Sequence, residues 1–65
     1  MITTYWWEIV DENSDLCGEE FFTELKDATR ADHTKYAHEI FPDERLKCLG
    51  KVSFAEAEMM GLDTY

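Results

Sequence analysis

From Thr3 to Asp11 the chain alternates, with Tyr5, Trp7 and Ile9 on one side and Trp6, Glu8 and Val10 on the other. Alternation of aromatic and β-branched residues predicts a strand. Asp11-Glu12-Asn13-Ser14-Asp15 gathers turn formers whose side chains bond to nearby backbone, and a second β-like run extends from Leu16 to Leu25. Residues 1–25 therefore read as a hairpin. Phe21-Phe22 puts an aromatic on each face, so a slip of one residue would exchange the set that meets Trp7. The favoured register pairs Trp7 with Phe21 and Trp6 with Phe22, leaving Glu20 and Glu24 beside Glu8.

The period changes after Asp27. His33, Ala37, Ile40 and Phe41 fall on one stripe at helical spacing, Thr29 and Asp32 form a capping box, and Pro42 ends the segment. This predicts a main helix over residues 27–41. A third strand is expected over 45–52, with Leu46, Cys48 and Val52 on one side, Arg45, Lys47, Leu49 and Lys51 on the other, and Gly50 marking a bulge or a close approach. Ser53 and Glu56 form a sharper capping box that opens a short helix over 53–61, closed by Gly61. The order ββαβα implies one α+β domain spanning residues 1–65, in which a three-stranded antiparallel sheet of order 2-1-3 carries the main helix on one face.

Length changes how this fold must be held. A 65-residue chain hides only about 60% of the surface its unfolded form exposes, so staples or partners become attractive. Cys17 and Cys48 permit at most one bridge. No charged-then-apolar leader opens the chain, so both are expected as reduced thiols in a cytoplasmic protein. Apolar runs are far shorter than the roughly 20 residues needed to span a bilayer, and membrane association is not expected. At 45% hydrophobic and 14% aromatic residues, the chain has enough to bury to fold.

The charge is local. Glu8, Asp11, Glu12, Asp15, Glu19, Glu20 and Glu24 put seven carboxylates and no Lys or Arg in residues 1–25; the rest holds eight acids and six bases, so −7 and −2 give the net −9. Such a hairpin repels nucleic acid and anionic lipid and attracts a basic protein surface.

The sheet face opposite the main helix is expected to show Trp6, Val10, Phe22 and Leu49 among Glu8, Glu20 and the bases of the third strand. Three readings compete there. The C-terminal segment, through Phe54, Met59, Met60 and Leu62, covers it; a partner docks on Trp6 and Phe22, residue types that anchor interfaces; or two copies pair through it. The hairpin carboxylates have a bland reading as a solvated surface. Their sharper reading is steering of a basic partner by Asp11, Glu12 and Asp15, with Glu8 and Glu20 ringing the aromatics.

Chemistry-bearing patterns are sparse. Asp11-x-Asn13-x-Asp15 starts like a calcium loop, but Leu16 stands where glycine is needed and Phe22 where a bidentate glutamate should sit. His33 and His38 lie about 140° apart around a helix, and no CxxC or HxxxH pair exists. With no nucleophile–base frame and no glycine-rich phosphate loop, neither an enzyme nor a cofactor or metal site is expected. The leading expectation is a small non-catalytic protein-binding or regulatory module whose partner has a basic surface. The alternative is an acidic nucleic-acid mimic that inhibits a nucleic-acid-binding protein, of the kind mobile elements encode; a third is a structural subunit or homodimer.

Overall fold

The computed structural model describes residues 1–65. Its elements are β1 (Ile2–Ile9), β2 (Glu20–Lys26), α1 (Arg30–Ile40), β3 (Leu46–Val52), α2 (Phe54–Met60) and β4 (Asp63–Thr64). The sheet has four strands in the order β3-β1-β2-β4, antiparallel except for the parallel β2–β4 pair. The expected arrangement with β1 in the centre is present. The three-stranded, wholly antiparallel sheet is corrected, because Asp63 and Thr64 dock beside Phe21 and Phe22 and cover the free edge of β2.

The hairpin register places Trp7 opposite Phe21, Trp6 opposite Phe22 and Glu8 opposite Glu20. The β2 strand starts later than the sequence pattern suggests. Gly18 adopts φ +93°, and Leu16-Cys17-Gly18 belong to the turn, where Gly18 N–H donates to the Ile9 carbonyl at 2.8 Å. Only glycine takes such an angle without a steric cost, and the turn it closes takes up residues 15–18, so β2 begins at Glu20.

Thr29 caps α1 in a full capping box with Asp32, so the helix begins at Arg30 and not at Asp27. Pro42 follows the Phe41 C-cap. One face of α1 rests on the sheet. Trp7, Ile9, Phe21 and Ala37 form the buried cluster, with Tyr5, Phe41, Leu46 and Cys48 packed against it. Ser53 caps α2 in a second capping box, and Gly61 closes it at φ +65°, so residues 53–61 fold as local chemistry dictates.

Polar groups complete this core. The Trp7 indole N–H donates to Thr23 Oγ1 at 2.9 Å, Thr23 Oγ1 lies 2.8 Å from His33 Nδ1, and His33 Nε2 lies 2.8 Å from Thr3 Oγ1. His33 and Thr23 have no accessible surface. Buried polar atoms are costly unless bonded, and the side chains of Trp7, Thr23 and His33 all find partners.

A register shift between Trp6 and Trp7 leaves Trp6 opposite Gly50 and Trp7 opposite Cys48, so Leu49 is the extra residue of a β-bulge. The bulge inverts the expected alternation beyond it. Lys51 pairs with Tyr5 and Val52 with Thr4, which moves Lys51 to the α1 side and Val52 to the opposite face, reversing their expected places. Facing residues of an antiparallel pair point the same way.

Candidate functional site

Two surfaces collect the residues singled out from the sequence: the sheet face opposite α1, and the acidic end of the hairpin. On the first, Thr4, Phe22 and Val52 are buried, while Trp6 and Glu8 are half-buried. Phe22 has no accessible surface, which corrects its expected role as an exposed anchor. The physical reason is β4: with Thr64 beside it, Phe22 lies inside the sheet and not at its edge.

The C-terminal segment crosses this face differently from expectation. Thr4, Glu24, Ala57, Leu62 and Thr64 share one crevice between sheet and α2. Ala57 and Leu62 are half-buried, whereas Phe54 and Met59 are 72% and 89% exposed. The cover is therefore thin, and it leaves a large apolar side chain in solvent at each end of α2. Trp6 is held by its indole N–H, which donates to Glu20 Oε1 at 2.8 Å.

The acidic end is built by turn chemistry. Asp11 Oδ1 accepts from Asn13 N–H at 3.1 Å and Ser14 Oγ from Leu16 N–H at 3.0 Å, so Asp11 and Ser14 hold the backbone of the turn. Glu12 and Asp15 are exposed, and Asp11 and Val10 half-buried. The sole ion pair of the protein joins the Met1 ammonium to Asp27 at 2.6 Å. None of the seven hairpin carboxylates has a base within ion-pair distance, even though Lys47 is Glu8's register partner.

A cleft of about 240 Å³ opens beside this end. Ile9, Leu16, Phe21, Phe41 and Tyr65 make its apolar lining, and Glu19, Glu20 and Asp63 complete it. The aromatic wall is assembled from distant segments: Phe21 and Phe41 have ring centroids 4.8 Å apart, and Tyr65 meets both edge-on at 5.8 and 5.7 Å. Sequence reasoning missed it, since only the pairing of β4 with β2 carries Tyr65 there.

The remaining chemistry-bearing side chains are dispersed. Cys17 is exposed, Cys48 half-buried, and no three His, Cys, Asp or Glu residues come together as a metal-holding set. Leu49 is half-buried at the bulge. Burial pushes the His33 imidazole below its ordinary 6.5, with the neighbouring Asp32 charge opposing the shift. Hydrogen bonds from Thr29, backbone first and then hydroxyl, hold the Asp32 carboxyl below its ordinary 3.8. Both effects belong to the fold's internal bonding. No helix is long and apolar enough to cross a membrane. No family model, curated protein or solved structure matches this chain.

Proposed function

We propose that this domain is a non-catalytic protein-binding module that presents the acidic end of its β1–β2 hairpin to a basic protein surface. The observation that carries this reading is the absence of any ion pair to the seven carboxylates of residues 1–25. Charge left unneutralised on one end of a small domain focuses an attractive field on cations and speeds their encounter. Trp6, half-buried and oriented by Glu20, lies on the same hairpin and adds an aromatic contact of the type that anchors interfaces.

Capture from a lysate tests this, comparing wild type with Glu12→Lys/Asp15→Lys at low and high salt. These two side chains are exposed and make no hydrogen bond in the turn, unlike Asp11, so their reversal leaves the fold in place. Wild type is expected to retain basic proteins at low salt, and the variant to lose them. Identical capture by both forms overturns the reading. Capture confined to nucleic-acid-binding proteins and competed by DNA would replace it with mimicry of a nucleic acid.

A further inference from the structure

We propose that the cleft at the open end of β4 receives an arginine side chain of the basic partner, an assignment that rests on the reading of the hairpin given above. At about 240 Å³ the cleft is below the ~300–1,000 Å³ of small-molecule pockets. One long side chain suits it better than a metabolite. β4 pairs only with Phe21 and Phe22, so the edge of β2 at Glu19 and Glu20 has no strand beside it, and the cleft opens there.

Its two kinds of lining match the two parts of arginine. The half-buried Phe41 and exposed Tyr65 rings, backed by buried Phe21, offer surface for the methylene stem and for stacking of the planar guanidinium, which is weakly hydrated and attracted to aromatic faces. Glu19 and Asp63 supply carboxylate charge, which accepts the guanidinium N–H donors, while the Glu20 carboxylate is engaged by the Trp6 indole on the other face. No base of the protein itself occupies ion-pair distance from either of the two. A lysine ammonium would gain the charge attraction but not the stacking, and an anion would meet two like charges.

The other two surface crevices lack this combination. One places Glu24 and Glu58 beside α2 without an aromatic wall beyond the exposed Phe54, and the other has Lys51 as well as Glu24 in its lining, with Phe54 again the one aromatic.

The test is a titration of the protein, followed by its backbone amide NMR signals, with N-acetyl-arginine methylamide and with its citrulline counterpart, which keeps the shape and removes the charge. Arginine is expected to shift Glu19–Phe21, Phe41 and Asp63–Tyr65 saturably, binding roughly tenfold tighter than citrulline, the scale of one charge-assisted hydrogen bond. The variant Glu19→Gln/Asp63→Asn, altered at two exposed positions, should lose that preference. Equal binding of citrulline, shifts centred on Glu12 and Asp15, or no saturable shift would overturn the cleft assignment. The lysate comparison separates the two ideas: basic proteins captured equally by wild type and Glu19→Gln/Asp63→Asn, but not by Glu12→Lys/Asp15→Lys, leave the hairpin reading standing and remove the cleft from it.

Discussion

His33 Nδ1 lies 2.8 Å from Thr23 Oγ1, and both side chains are fully buried. Thr23 Oγ1 accepts the Trp7 indole proton, and the neutral tautomer that also gives the Thr23 O–H an acceptor is the one in which Nδ1 accepts it and Nε2–H donates to Thr3 Oγ1. The Thr3 hydroxyl then points to the Leu25 carbonyl at 3.5 Å. This chain runs in one direction only with a neutral imidazole. A proton added at Nδ1 would force Thr23 to accept twice and turn its own hydrogen away from every assigned acceptor.

Stability should therefore fall with acid before the carboxylates titrate. His33 is held below its ordinary 6.5 by burial, against the opposing charge of Asp32. A depressed native pKa means that the unfolded chain binds the proton more readily, so the His33 contribution is complete above about pH 6.5 and is lost as pH falls through the native value. Asp32, also depressed, adds a loss that begins only near its ordinary 3.8. Neutralising part of the net −9 charge works the other way, by relieving repulsion. Urea unfolding at several pH values, wild type against His33→Leu, isolates the imidazole: the variant should be weaker at pH 7 yet flatter between pH 7 and 5. Parallel curves would show that the ring does not titrate with folding.

Thr23→Val should be the costliest conservative change on β2. It leaves the Trp7 indole N–H and one His33 nitrogen without their partner in a site with no accessible surface, and a buried unsatisfied polar group costs about 1–3 kcal/mol. Thr23→Ser retains the hydroxyl and removes one methyl group, for about 1 kcal/mol. Denaturant midpoints read by tryptophan fluorescence give the order wild type, Thr23→Ser, Thr23→Val. A valine variant as stable as the serine one would mean that the hydroxyl carries no energetic role.

Gly50→Ala should destabilise, which is the reverse of what alanine does in an ordinary strand. Gly50 sits at φ +123° in the bulge, and a Cβ there would meet nothing within 4 Å. The penalty is therefore backbone strain alone, on the order of 1–3 kcal/mol. If thermal unfolding shows a gain instead, the bulge has relaxed to a regular ladder, and Lys51 and Val52 will have exchanged faces.

Local chemistry made much of this fold legible in the sequence. The Thr29–Asp32 and Ser53–Glu56 boxes and the Gly61 stop are read from neighbours in the chain, and their helices form at those caps. Matching aromatics across the hairpin was enough to place Trp7 opposite Phe21. What escaped depends on contacts distant in sequence. Asp63-Thr64 is too short to show a period and is a strand only because β2 offers it a free edge. Phe22's burial follows from that strand. Gly50 flagged a bulge, but the two faces beyond it follow from the extra residue being Leu49, which the pairing with β1 decides. The hairpin carboxylates were legible as charge, while the aromatic cleft beside them needed Tyr65 to land on Phe21 and Phe41.

Glu8 and Glu20 face each other across β1 and β2, and Lys47 on the other side of Glu8 makes no ion pair with it. Like charges directly opposite in a sheet are unfavourable by about 0.2–1 kcal/mol. Glu20 is engaged by the Trp6 indole, so Glu8 is the member to change. Glu8→Gln should raise the urea midpoint at low salt, and the gain should shrink as salt screens the wild-type repulsion. A loss of stability at low salt would mean that attraction to Lys47 outweighs repulsion from Glu20.

Tyr65 offers the sharpest check on the C-terminal strand. Its backbone N–H donates to the Phe22 carbonyl and its carbonyl accepts from Glu24 N–H, each at 2.9 Å, while its ring meets Phe21 and Phe41 edge-on. Backbone bonds survive any side-chain change, so Tyr65→Ala removes the ring contacts selectively. Edge-to-face aromatic pairs contribute about 0.5–1.5 kcal/mol each beyond area burial, and the ring is 42% exposed, which places the expected loss at about 1–3 kcal/mol. The phenol oxygen has no protein hydrogen-bond partner, so Tyr65→Phe should stay within about 0.5 kcal/mol of wild type. Amide exchange adds a structural reading. If the ring clamps β4, Tyr65→Ala will speed exchange at Glu24 and Tyr65 well before it does so at Trp7 in the centre of the sheet. Uniform acceleration across the sheet would instead show that β4 opens only when the whole domain unfolds.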